Sequence, residues 1–240
     1  MTVLYHTDGS APCRAVRMLA KEIGVELELR SLDLFAGDNM KPEFLEINPQ
    51  HTVPTIVEDD FVLTESRAIM TYLMNKHAPE SSLYPQEPRD RAQVEKYLYY
   101  DMGVLYKSVL DLFLAPLFGR PCPEDAEERL KSVLVFLEEH VLGDKEYITG
   151  ENFTIADICI GATLTCLEAF EFGFPDAPRL EKYYTEKIKA LPYFDEINGP
   201  GIELLKSIKS TEEATPEEEQ EGGAADEEAG ENTAEADANE

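Results

Sequence analysis

The run Gly9-Ser10-Ala11-Pro12-Cys13-Arg14 sets a hydroxyl, a proline and a thiol at what reads as the start of a helix. Ser10 is a good capping residue, and a proline in the first turn lacks an N–H that would otherwise go unpaired. A helix N-terminus carries free N–H groups and a partial positive charge, which favour a thiolate placed beside it. Redox proteins put C-x-x-C at such a point. Here Ser10 occupies the first sulfur position, so no disulfide closes within Ser10-Ala11-Pro12-Cys13 and dithiol exchange is disfavoured. A hydroxyl can instead donate to a thiolate that a ligand brings. An ordinary thiol, with pKa about 8.5, is only ~3% ionised at pH 7, and making the thiolate dominant requires a drop of about 2 units, roughly 2.7 kcal/mol. A hydrogen bond to a charged group supplies ~1.5–3 kcal/mol and a helix terminus ~0.3–1 kcal/mol, so one serine suffices as donor without being deprotonated. The plainer role of Ser10, a helix cap and nothing more, stands beside this one.

A second constellation follows in Asn48-Pro49-Gln50-His51-Thr52-Val53-Pro54-Thr55 and Leu63-Thr64-Glu65-Ser66-Arg67. Cis peptide bonds are largely confined to X-Pro, and a cis Val53-Pro54 would turn the Val53 N–H and C=O outward to pair with a peptide as a short added strand. An ordinary trans proline at a strand start is the alternative. His51 flanks the same place as a donor to a ligand carboxylate, although a lone histidine is more often structural. Glu65 suits a ligand ammonium. Ser66 with the helix N–H groups suits a carboxylate, and Arg67 supports either end by charge. N-capping by Thr64 or Ser66 is compatible with all of this. The parts suit a small peptide carrying its own thiol.

These residues need a scaffold, and the pattern supplies one. Val3-Leu4-Tyr5 reads as a buried strand. Val16, Leu19, Ala20 and Ile23 recur at helical spacing, and Gly24 ends that helix. Val25, Leu27 and Leu29 alternate like a half-buried strand. Pro54 to Val57 and Phe61 to Leu63 form a hairpin about Glu58-Asp59-Asp60, and Ser66 to Lys76 a second helix. This β-α-β then β-β-α order is the outline of an α/β thioredoxin-like domain with a mixed sheet, over residues 1–82. A linker at 83–88 holds Tyr84-Pro85-Gln86-Glu87-Pro88. An all-α domain follows over 89–210, with helices at Arg89 to Leu117, Glu124 to Val141, one opened by Thr154 with Asp157 as a capping box, Arg179 to Ala190, and Gly201 to Ile208. The stripe Met102, Tyr106, Leu110, Phe113, Leu117 and Phe118, with Phe172 and Phe174 later, is mostly core by spacing. Several of its members are also fit to line an apolar pocket beside the thiolate, with Tyr106 as its polar tip.

Composition bounds the partners. Net charge is −28 over 240 residues, and 13 acidic residues without one Lys or Arg fall in Thr211 to Glu240. The first 210 residues keep 36 acidic and 21 basic residues, a net of −15. An acidic body disfavours nucleic acid, and a partner met through charge would be basic. The segment 211–240 lacks large apolar residues and is expected to be a disordered acidic tail. Cys13, Cys122, Cys159 and Cys166 show no zinc-ligand spacing, so no metal is expected, and free thiols suit a reducing compartment. No apolar run of about 18 residues predicts a membrane span. With no secretory pattern at the N-terminus, the expected compartment is the cytoplasm, with the nucleus as the alternative.

Taken together, G-S-A-P-C-R at Gly9 to Arg14, K-P-E-F-L-x-I-N-P-Q-H-T-V-P at Lys41 to Pro54, L-T-E-S-R-A-I at Leu63 to Ile69, L-Y-P at Leu83 to Pro85, D-M-G-x-L-Y at Asp101 to Tyr106 and F-T-I-A-D at Phe153 to Asp157 resemble the cytosolic glutathione S-transferases of the insect delta and epsilon classes. The resemblance runs from about Val3 to Ile208. It implies a homodimer, glutathione as co-substrate, and conjugation to small hydrophobic electrophiles in detoxification, with hydroperoxide reduction as a related activity. It implies Ser10 as the residue that stabilises the glutathione thiolate. His51, Val53, Pro54, Glu65, Ser66 and Arg67 then match glutathione-contacting positions, as do Leu34 and Gln50. Relatives often carry a histidine where this chain has Asn39, which keeps a hydrogen-bonding amide but no charge. The competing function is a non-catalytic module of the same fold that meets basic proteins through the acidic tail.

Overall fold

The computed structural model describes residues 1–213, with side chains through Ser210. The expected tail from residue 214 onward lies outside the described residues. The N-terminal layer is a four-stranded sheet in the order β2-β1-β3-β4, formed by β1 (Thr2–His6), β2 (Leu27–Ser31), β3 (Thr55–Glu58) and β4 (Phe61–Leu63). β1 runs parallel to β2, with Leu4 opposite Leu29, and antiparallel to β3, with Leu4 opposite Ile56. β3 and β4 close a hairpin, Ile56 opposite Leu63. Its two-residue turn is possible because Asp59 accepts a left-handed backbone, φ 51°.

Side chains alternate across β1. Leu4 and its neighbour Ile56 join a buried cluster with Val16 and Leu19 of α1 (Ala11–Glu22) and Ile69 and Leu73 of α3 (Ser66–His77). Tyr5 points the other way and meets Phe44 of the short helix α2 (Pro42–Leu45), ring centroids 5.4 Å apart. Neither α2 nor the 3-10 turn before it (Asp38–Met40) was expected from the sequence.

Beyond Glu87, whose carboxylate accepts from the N–H groups of Arg89 and Asp90, the described chain is helical, apart from its loops and one isolated bridge between Tyr147 and Gly150. α4 (Pro88–Tyr100) and α5 (Tyr106–Val109) belong to one long run from Pro88 to Phe118, widened by π-type turns at Asp101–Leu105 and Leu110–Leu114. Next come α6 (Ala126–Phe136), continued to Leu142, then α7 (Ile155–Ala169), α8 (Pro178–Tyr183), continued to Ile188, and α9 (Phe194–Glu213). The expected capping box is present: Asp157 accepts the Thr154 N–H at 2.8 Å while the Thr154 hydroxyl takes an N–H from the first turn. α7 is apolar on nearly every face, as a central helix must be, and it packs against α1, α4 and α9.

α9 departs from expectation at both ends. It begins at Phe194 rather than Gly201 and runs three residues past Ser210, so residues 211–213, expected in the disordered tail, are helical. Pro200 and Gly201 suggest a break in sequence, yet both lie inside the helix. Gly201 is needed there. A Cβ would collide with the Asp8 carbonyl oxygen and the Arg14 guanidinium. Arg14 is fully buried, and it donates to the Asp8 carbonyl (2.5 Å), Thr165 Oγ1 (2.7 Å) and Asn198 Oδ1 (3.2 Å). One guanidinium thus ties the sheet layer to α7 and α9 directly beneath residues 8–10.

Candidate active site

Ser10 precedes α1 in extended conformation (φ −83°, ψ 112°), and its oxygen accepts the Cys13 N–H at 3.3 Å. The neighbouring thiol does not compete as a nucleophile. Cys13 is buried completely, and burial pushes its thiol up to about 11, a rise that the Ser10 hydroxyl, the Thr7 backbone and two arginines only partly offset.

The loop 48–55 is held from within. Buried Asn48 donates through its amide to Thr52 O (3.0 Å) and Thr55 Oγ1 (3.1 Å), and its oxygen accepts the Gln50 N–H (3.0 Å). The Val53-Pro54 bond is cis, and His51 is left-handed at φ 48°. The Asn39 amide donates to the His51 carbonyl at 2.8 Å and so braces the loop. Sequence reasoning included Asn48 in this stretch but gave it no role; the signal was an Asn-Pro pair opening a turn.

Glu65 holds φ 65° and ψ 104°, a conformation that costs a non-glycine residue ~1–3 kcal/mol, and it leads directly into α3. Glu65 is exposed, whereas Ser66 is buried and accepts from Arg67 at 2.9 Å. Arg67 forms an ion pair with fully buried Asp101, and its guanidinium lies 5.7 Å from the Tyr106 ring centre. The same carboxylate accepts from the Cys159 thiol. Burial pushes the Tyr106 phenol above its usual range.

A groove of about 800 Å³ opens between the two layers. That is room for a peptide and a second small molecule. Of the expected site residues it brings together Ser10, Leu34, Asn39, His51, Val53, Tyr106, Leu110 and Phe118. Gln50, Pro54, Glu65, Ser66, Arg67, Met102, Phe113, Phe172 and Phe174 do not line it. Pro54 is buried behind Val53, and Met102 faces out, 43% exposed. The Phe113 ring stacks on Phe170 at 4.7 Å and meets Phe172 edge-on at 5.5 Å, while Phe174 packs on Tyr184 at 5.4 Å. The apolar wall is completed by Leu204, Leu205 and Ile208 of α9, and at the mouth Phe35 stacks on Phe118 at 4.9 Å. None of α9's three, nor Phe35, was expected at the site. Among the described residues no group of three His, Cys, Asp or Glu side chains gathers as a metal site. Nor is any described helix long and apolar enough to cross a membrane.

A thioredoxin-like layer with a serine-capped helix, facing an apolar wall of helices, defines a glutathione-transferase architecture. Residues 4–81 match the family model for the glutathione S-transferase N-terminal domain, and residues 105–192 that for the C-terminal domain. A delta-class glutathione transferase from Nilaparvata lugens is 39% identical, covering 88% of this chain and 99% of its own, with TM-score 0.81. An epsilon-class enzyme from the housefly Musca domestica is 35% identical (88% and 98% covered, TM-score 0.80), and isozyme E7 from Drosophila melanogaster 33% (88% and 96%, 0.80). The chain belongs to the glutathione S-transferase family. The reaction class that goes with membership is transfer of the glutathione sulfur to an electrophile.

Proposed function

We propose that this protein conjugates glutathione to small hydrophobic electrophiles and that Ser10 is the catalytic residue holding the thiolate. The observation that carries the reading is a serine at the N-terminus of α1 that lines the groove, beside a fully buried cysteine whose burial pushes its thiol up to about 11. The glutathione thiol releases its proton to solvent, its sulfur lone pair forms a bond to the electrophilic carbon, and the leaving group departs with its bonding pair or, in an addition, a proton is taken up. The Ser10 hydroxyl and the dipole of α1 stabilise the anion before attack. Asn39, His51 and Val53 grip the peptide from the groove. Glu65, Ser66 and Arg67 serve its γ-glutamyl end from α3, where the Arg67–Asp101 pair fixes the guanidinium. The test is turnover of chlorodinitrobenzene with glutathione: activity lost in Ser10→Ala with the fold intact supports the reading, and retention on immobilised glutathione without turnover of any electrophile favours a binding module.

A homodimer is part of the same proposal. Phe61 and Val62 on β4, Tyr99 on α4, Met102 and Phe136 are all at least 40% exposed, an apolar set suited to an interface between copies. Light scattering that gives a monomer at micromolar concentration would remove it. The acidic residues after Ser210 would take a basic protein partner, an association that ~0.5 M salt should dissolve.

A further inference from the structure

The mouth of the groove carries a cation that the glutathione grip does not use. The helical run ends at Gly119, left-handed at φ 70°, and two backbone bonds lock that end: Gly119 donates to Pro116 O (2.8 Å) and Arg120 to Ala115 O (3.1 Å). Just past this glycine-capped turn, Arg120 lines the groove together with Phe118. The Arg120 guanidinium has no ion pair or hydrogen bond among the described residues. The carboxylates on the same lining are engaged: Asp8 by Arg17 at 2.5 Å, and Asp33 by the N–H groups of Phe35 and Ala36. Beside Arg120, Phe35 and Phe118 stack across the mouth at 5° between planes, and each is about half exposed. In a chain this acidic an unpaired arginine over an apolar groove is a local exception, and a guanidinium matches a carboxylate fork to fork.

We propose that Arg120, with the Phe35–Phe118 pair, is a specificity determinant for anionic electrophiles: a planar apolar body that carries a carboxylate. The inference rests on the transferase reading for the word electrophile, but anion binding at Arg120 does not need turnover. Arg120 follows the helical wall that ends at Phe118, and the kinetic test below separates an anion on the second substrate from the glycyl end of glutathione.

Two pairs of probes separate the outcomes. In fluorescence titrations, Arg120→Gln should weaken anilinonaphthalene sulfonate about fivefold, the upper range for a solvent-facing ion pair, and leave the uncharged N-phenylnaphthylamine within about twofold. In kinetics, KM for ethacrynic acid should rise by a similar factor, with KM for its methyl ester, for chlorodinitrobenzene and for glutathione unchanged. Arg120→Lys should recover part of the loss. Equal effects on charged and neutral probes, no effect on either, or a rise confined to the KM for glutathione would overturn the proposal. A purely structural role at the helix end would lower Tm and move all probes alike. If the dyes behave as expected and no electrophile is turned over, the anion site stands and the transferase reading fails.

Discussion

Replacing Ser10 with alanine removes two hydrogen bonds of different kinds. The first is the cap on Cys13 N–H, already long at 3.3 Å, whose loss should cost ~0.5–1 kcal/mol of stability, the low end for an N-cap. The second is the bond to the glutathione sulfur, of the charge-assisted kind worth ~1.5–3 kcal/mol. At about 1.36 kcal/mol per pKa unit, losing it should raise the bound thiol by roughly 1–2 units, towards about 8.5. The acid limb of the kcat/KM profile should therefore move up by about 1–2 pH units, and the rate at about pH 6.5 should fall ~10–50-fold. Ultraviolet absorbance of the thiolate in the enzyme–glutathione complex measures the shift directly, and a thermal melt measures the cap. Ser10→Thr keeps cap and hydroxyl and should stay near the parent. Ser10→Asp keeps the cap but meets the sulfur with a charge, so it should fold normally and lose the thiolate. A folded Ser10→Ala variant whose thiol titrates at the parent's pH would refute the assignment, whatever happened to its turnover.

Gly201→Ala would drive a methyl into the Asp8 carbonyl and the Arg14 guanidinium. Denaturation should show a loss of ~1–3 kcal/mol, as for other overpacked sites, and KM for glutathione should rise because residues 8–10 shift. Asp101→Asn leaves the Arg67 guanidinium without its buried counter-charge and should destabilise by ~3–5 kcal/mol in urea unfolding; a loss below about 1 kcal/mol would mean water replaces the carboxylate. Burial pulls the Glu58 carboxyl up, but hydrogen bonds from Lys76, Thr2 and Tyr72 outweigh it and hold the pKa at about 2 against an ordinary 4.5. Its folded value is depressed, so its stabilisation is complete above pH 4.5 and vanishes as pH falls towards 2. Glu58→Gln should thus lower Tm at neutral pH and have little effect near pH 2. Phe35→Ala breaks the stack at the groove mouth, worth ~0.5–1.5 kcal/mol, and should raise KM for planar aromatic electrophiles about two- to tenfold while leaving KM for glutathione unchanged.

What the sequence reveals is local. The Ser10 cap with Pro12 behind it, the Thr154–Asp157 box and the Asp59 turn are each settled by a few consecutive residues, and each is found as expected. The limits appear where a distant neighbour decides. Phe113 shares a helical stripe with Tyr106 and Leu110, yet its ring turns to Phe170 and Phe172 while their side chains line the groove; spacing alone does not say which helix will be opposite. Phe35 and Phe118 meet across 83 positions. At Asn198 to Ile202, breaking residues concealed a helix because Gly201 serves close packing against Asp8 and Arg14 rather than a turn.

The most direct test of the central claim is a crystal structure of the protein with glutathione bound. The sulfur should lie within about 3.3 Å of Ser10 Oγ, in hydrogen-bonding range, with the peptide backbone paired to Val53. A sulfur held instead by the Tyr106 phenol, or a groove that takes no glutathione at millimolar concentration, would contradict it.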